Sequence, residues 1–129
     1  MTGKRIYIAG PMTGVPKFNR PKFEEAARIL RAHGWTVESP VEIASVFGSD
    51  NTIVTTPGML DAVIEAELAA LAKCDAIYLL AGWEDSRGAK RELWLALEKG
   101  LEVIVEDIFE GFRPKRIRTL EEMAYEEEK

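Results

Sequence analysis

Histidine and cysteine are almost missing from this chain, with one of each in 129 residues. The lone cysteine, Cys74, makes no intramolecular disulfide and no Cys-rich zinc site, and it suits a reducing cytoplasm. The lone histidine, His33, sits in Arg31-Ala32-His33-Gly34, where a helix runs out, and reads as a surface residue at a helix C-terminus. Ser-His-Asp hydrolysis and multi-histidine metal chemistry therefore lack their parts. Long apolar runs are also lacking: none approaches a membrane span, and the one following Met1–Arg5 is too short for a secretory signal. Nor is there an excess of positive charge. Lys and Arg total 17 against 22 Asp and Glu, a net charge of -5, which argues against a protein that grips a nucleic-acid polymer. Any link to nucleic acid belongs with small nucleotide-like ligands, and carboxylates and backbone amides are left to do the chemistry.

What remains suits a globular domain: 47% hydrophobic and 30% charged residues over a length that builds one core, so residues 1–129 are expected to form a single domain. Arg5-Ile6-Tyr7-Ile8-Ala9 is a short β-rich run that stops at Gly10-Pro11. A loop through Val15-Pro16 follows, and a helix begins near Asn19, with Pro21 in its first turn and Gly34 as terminator. Trp35-Thr36-Val37-Glu38 is the second strand. Val41–Phe47 is a short helical or irregular piece, and residues 41–57 as a whole are the length of connection often used as a binding loop. The second long helix opens at Pro57-Gly58 and runs to about Lys73. Asp75–Leu80 is a continuous apolar strand suited to the middle of a parallel sheet. A third long helix ends at Gly100, and Leu101–Val105 is the next strand. Thr119 and Glu122 have the spacing of a capping box for a short final helix within a peripheral tail, about 107–129. Strands alternating with helices predict an α/β three-layer sandwich with a mainly parallel sheet. Ligands of such sheets bind beyond the carboxyl ends of the strands, which selects the loops after Ala9, Ser39 and Leu80.

Two carboxylates stand where solvated ones do not belong. On the second long helix Leu60, Val63, Ile64, Leu68 and Leu71 make the apolar stripe, and Glu67 falls inside it, whereas Asp61 and Glu65 lie off it. An ionised carboxylate facing a core is unfavourable unless it is paired or opens onto a cavity. Glu67 thus either meets an arginine or caps a strand end, or it serves a site. On the third helix Ala89, Leu93, Ala96 and Leu97 face inward and Glu92 borders them; alone, it also reads as an acid suited to the early turns of a helix. Two carboxylates converging at a sheet edge, with no histidine to help, suit displacement at an anomeric carbon: one attacks, the other manages the leaving group's proton. Ser86-Arg87-Gly88 opens the third helix, and reads either as a phosphate site or as a simple Ser cap with Arg87 in solvent. Neither GxGxxG nor GxxxxGK[ST] occurs, which removes the best support for dinucleotide and P-loop readings.

The runs Ile6-Tyr7-Ile8-Ala9-Gly10-Pro11-Met12-Thr13-Gly14, Cys74–Leu80, and Gly82-Trp83-Glu84-Asp85-Ser86-Arg87-Gly88-Ala89 with Glu92 resemble the nucleoside 2-deoxyribosyltransferase-like superfamily. Within it they are most similar to a branch of small bacterial and phage proteins, the DUF4406 group. The resemblance spans roughly residues 4–106 and implies a flavodoxin-like or Rossmann-like fold with chemistry at an N-glycosidic bond. Its Gly-x-x-x-Glu nucleophile falls on Gly88 and Glu92. The second acid of the family, eight residues before Asp75, falls on Glu67, where the family usually has Asp. Six residues before the nucleophile, deoxyribosyltransferases tend to have Asp and 5′-monophosphate hydrolases Ser; here it is Ser86, which favours a phosphorylated substrate. By this resemblance Gly10, Pro11, Met12, Thr13, Asn19, Ser86, Arg87 and Gly88 face phosphate or sugar, and Tyr7 or Trp83 stacks on the base or packs in the core. It implies no metal and no organic cofactor, a small nucleotide or nucleoside as partner, and a homo-oligomer; the cysteine count places the chain in the cytoplasm, and Trp94, well off the inward stripe of the third helix, is the candidate contact. The expected activity is a nucleotide N-glycosidase, with base-exchanging transferase and non-catalytic nucleotide-binding module as the alternatives. Phosphoribohydrolases of similar fold are disfavoured by the absence of PGGxGT.

Overall fold

A computed structural model describes residues 4–12, 14–46, 57–106 and 114–117. Five strands, β1 (Arg5–Ala9), β2 (Thr36–Glu38), β3 (Ala76–Leu79), β4 (Glu102–Glu106) and β5 (Pro114–Ile117), form one sheet in the order β2-β1-β3-β4-β5. The first four run parallel, and β5 pairs antiparallel with β4 along the edge. The helices are α1 (Arg20–Ala32), α2 (Pro40–Val46), α3 (Pro57–Ala72) and α4 (Arg87–Glu98). The sequence pattern assigns no strand over 114–117, because Pro-Lys-Arg-Ile shows little alternation; an edge strand tolerates its proline and its charges. The expected final helix at Thr119–Glu122 and the polar loop from Gly48 to Asn51 lie outside the described residues.

Alternation along β1 sorts the layers. Ile6 and Ile8 point to one face, where Phe23, Ala26, Ala27 and Leu30 of α1 cover them together with Val37, Val41 and Tyr78. Tyr7 and Ala9 point to the other face, against Leu71 of α3 and Ala89, Leu93 and Ala96 of α4, with Ile77, Leu79 and Val103 beneath. The β3 residues Ala76–Leu79 are all buried, as a strand covered on both faces requires. This is the three-layer α/β sandwich the alternating pattern predicts.

Between β1 and β3 the strand order reverses direction, and the crevice at the carboxyl ends there is where open α/β sheets take ligands. The chain is drawn tight at that point. The Leu80 N–H donates to the Ala9 carbonyl at 2.8 Å, extending the pairing past the last strand residues. A Cβ on Gly10 would stand 2.8 Å from Leu80 Cβ, closer than carbon atoms tolerate, so only glycine lets the first loop leave the sheet here. Beyond it, Lys17, Phe18 and Asn19 run consecutively in the left-handed region, with φ of 56°, 53° and 61°. Side chains disfavour that conformation by about 1–2 kcal/mol per residue. Asn19 stands at the N-cap of α1 without capping it; its Nδ2 instead donates to the Pro11 carbonyl at 2.9 Å and ties the turn to the first loop.

Candidate active site

Tyr7 is in the middle of β1, fully buried, and its side chain faces the layer of α3 and α4. Its hydroxyl donates to Glu92 Oε2 at 2.6 Å. That length is typical of an O–H donor serving a carboxylate. Glu92 lies in the second turn of α4 among the buried Ala89, Leu93 and Ala96, and is itself 6% exposed. The small alanines allow the helix to approach the sheet closely enough for a β1 phenol to reach a helix carboxylate. Tyr7 therefore does not stack on a base: its ring has no free face, and its polar end is committed to Glu92.

The electrostatics follow from burial. Removal from water pushes the Glu92 carboxyl up to about 8; the Tyr7 hydrogen bond opposes this, the charge of Glu67 adds to it, and the Arg91 guanidinium opposes it. Glu67, half-buried on α3, is pushed by burial up to about 7, with Arg91 again opposing. The phenol of Tyr7 is raised well above its ordinary value by burial and by the charges of Glu92 and Glu67, so it stays a proton donor throughout the physiological range. Glu67 and Glu92 thus form one electrostatic unit around neutrality, with Tyr7 and Arg91 as its positive and donating partners. Asp61, Glu65 and Glu98 lie in solvent, as the helical spacing predicts.

The loops after β1 and β3 meet each other at the carboxyl edge of the sheet. Gly82 adopts φ +90°, and a Cβ there would meet Pro11 Cγ at 3.3 Å, so the two loops press against each other. Trp83, half-buried, packs against the core cluster that contains Tyr7 and Ala89. Ser86 caps α4, its Oγ accepting from the Ala89 N–H at 3.1 Å; that leaves the hydroxyl proton to donate elsewhere. Arg87 is exposed at the first residue of α4 and Gly88 follows it half-buried. Gly88 is also near Arg91, whose Nη2 would be 3.8 Å from a Cβ there, so that guanidinium lies back along the start of the helix. Gly10 and Pro11 belong to this edge. Met12 instead packs against the core on the α1 side, and Asn19 reaches the site only through Pro11. Thr13 lies outside the described residues.

Two groups escaped the sequence reading. Arg91, itself exposed, directly precedes the buried Glu92, and nothing in its spacing announces that its charge acts on two carboxylates. Glu106 ends β4 and accepts the Ala81 N–H at 2.8 Å; its place at the carboxyl end of a parallel strand was the available signal. Among the described residues no three His, Cys, Asp or Glu side chains converge to hold a metal ion, and no helix is long and apolar enough to cross a membrane.

Among solved structures the chain is similar to the 2-deoxyribosyltransferase of the psychrotolerant bacterium Bacillus psychrosaccharolyticus: 21% identity, a TM-score of 0.60, covering 78% of this chain and 70% of that one. It is also similar to the CMP N-glycosidase of Clostridium botulinum, at 19% identity and a TM-score of 0.49, covering 79% of this chain and 70% of that one. No curated protein is a detectable relative. At 21% identity the likeness to the deoxyribosyltransferase is one of fold. The family described as a domain of unknown function, DUF4406, matches residues 4–105, nearly the whole described sheet and every helix, and the chain belongs to it.

Proposed function

We propose that the protein is an N-glycosidase that hydrolyses a nucleoside 5′-monophosphate to free base and sugar 5-phosphate. The observation that carries the reading is the buried Glu92 carboxylate, oriented by the Tyr7 hydroxyl at 2.6 Å, with Glu67 as its electrostatic partner at the switch point of the sheet. A fold shared with a deoxyribosyltransferase supports it.

In the first step a Glu92 carboxylate oxygen attacks C1′ while the C1′–N bond breaks, and the departing base takes its electron pair together with the Glu67 proton. The product is a glycosyl ester on Glu92. In the second step water attacks C1′, gives its proton to the Glu67 carboxylate, and frees Glu92 as the carboxylate. Tyr7 holds Oε2 in place, leaving Oε1 for the sugar, and stabilises the charge that reappears in the second step. The Ser86 hydroxyl and the amino end of α4 favour a 5′-phosphate, since a hydroxyl donates to it where a carboxylate would repel it. The reading includes a cytoplasmic enzyme that acts as a homo-oligomer, joined through the exposed Trp94.

The test is base release, followed by liquid chromatography, over the common ribo- and deoxyribonucleosides and their 5′-monophosphates, with Glu92→Gln as control. Release from monophosphates that disappears in the variant is expected. Release that survives Glu92→Gln overturns the assignment. Base exchange without net release transfers the protein to the deoxyribosyltransferase reaction, and ligand binding without turnover, unaffected by Glu92→Gln, makes it a nucleotide-binding module.

A further inference from the structure

The carboxyl end of β3 is held by a side chain from the neighbouring strand. Pairing of β3 with β4 ends at Leu79 and Val105. The next N–H, of Leu80, turns to β1 and donates to Ala9. The one after it, of Ala81, turns back toward β4 and finds the Glu106 Oε1 at 2.8 Å, a side-chain carboxylate in the part a strand carbonyl would play. From that anchor the chain leaves strand geometry at once. It turns through Gly82 at φ +90°, makes the short turn Trp83–Asp85 and delivers Ser86 to the cap of α4. Every residue between the anchor and the cap belongs to the loop that closes on Pro11, and Glu106 itself is half-buried at the same edge.

We infer that Glu106 is a positioning residue of the active site: by accepting the Ala81 N–H it sets the β3–α4 loop, and with it Trp83 and Ser86, against the substrate. A bond from a charged acceptor to a partly buried amide is stronger than a neutral one. Glu106 acts through the loop and has no part in the bond-making steps, so its loss belongs in substrate binding. The inference rests on the proposed nucleotide chemistry for its kinetic readout, while the loop geometry gives it a readout of its own.

The experiment compares the wild-type chain with Glu106→Ala and Glu106→Gln, the glutamine oxygen remaining able to accept from Ala81. Two quantities are measured: the exchange rate of the Ala81 amide by NMR, and KM and kcat for base release from the best monophosphate. In Glu106→Ala the Ala81 amide is expected to exchange about tenfold faster or more. KM is expected to rise about tenfold with kcat within about threefold, as for lost ground-state binding. Glu106→Gln is expected to keep both near wild type. An Ala81 amide equally protected in Glu106→Ala overturns the inference, as does an unchanged KM or a glutamine variant as impaired as alanine. If the wild-type chain releases no base, the proposed chemistry fails; the Ala81 amide then still decides whether Glu106 holds the loop.

Discussion

The hydroxyl of Tyr7 on β1 donates to Glu92 on α4 across 2.6 Å, joining residues 85 positions apart in a part of the core closed to solvent. A phenol raised well above its ordinary value does not lose its proton, so this bond has one direction, from tyrosine to carboxylate. It favours the ionised form that a nucleophile needs, against a burial that favours the neutral one. Tyr7→Phe removes the donor and leaves the packing. The Glu92 carboxyl, already the higher of the pair, then rises further, so the alkaline limb of the kcat/KM profile moves to higher pH by about one unit or more while the maximal activity falls by about 10–100-fold, the scale of a hydrogen bond to a charged group. The wild-type profile itself is expected to be bell-shaped with its maximum between about 7 and about 8, since turnover needs one proton on the Glu67–Glu92 pair and not two or none. Initial rates of base release from pH 5 to 10 check both statements.

Glu92→Gln is expected to separate function from stability. The folded-state carboxyl is raised above its unfolded value, so the folded chain holds the proton more tightly. Its contribution is fully present below the unfolded value near 4.5 and is lost as pH climbs through about 8. Glutamine keeps the shape and never ionises. The variant should match wild type in Tm below about pH 5 and exceed it above about pH 8.5, by on the order of a few kcal/mol in unfolding free energy, while base release vanishes. Thermal denaturation across that range decides it; a variant less stable than wild type at high pH contradicts a charge whose burial outweighs its Tyr7 and Arg91 partners.

The layers and Glu67 were legible because helical and strand periodicities report which face a residue occupies. Glu67 violates that periodicity, a local signal, whereas Glu92 only borders its apolar face and stood out through its Gly-x-x-x-Glu spacing from Gly88. What the hydroxyl of Tyr7 touches is not local: alternation places its ring in the core and says nothing of a partner on another element. The left-handed stretch Lys17–Asn19 was hidden for a different reason, since lysine and phenylalanine disfavour such φ values and only the assembled loop, with Asn19 bonded to Pro11, holds them there. Glu106 looks like a solvated strand end until Ala81 is placed beside it.

Gly10 makes a mechanical prediction. Its missing Cβ is what lets the chain pass Leu80, whose own Cβ would be 2.8 Å away, and that atom is held by a buried core rather than by a flexible tip. Gly10→Ala forces the ends of β1 and β3 apart where the first loop begins. Overpacking of this kind destabilises by about 1–3 kcal/mol. The Leu80–Ala9 hydrogen bond lies in the strained region, so a fall in urea midpoint should come with faster exchange of the Leu80 amide. An unchanged midpoint would show that Leu80 moves aside at no cost.

Trp94 is 59% exposed on α4, on the side away from Ala89, Leu93 and Ala96. A large aromatic left in water forgoes burial that an interface would supply, and tryptophan is among the residues that most often dominate such interfaces. Covering it with a second copy of the chain is the proposal made above for assembly. Light scattering is then expected to report a dimer or higher for the wild-type chain. Trp94→Glu puts a charge where the two copies would press together and should shift the population to monomer at micromolar concentration, without altering the far-ultraviolet circular dichroism. A monomeric wild type, or an oligomer that tolerates Trp94→Glu, refutes the assignment of this face.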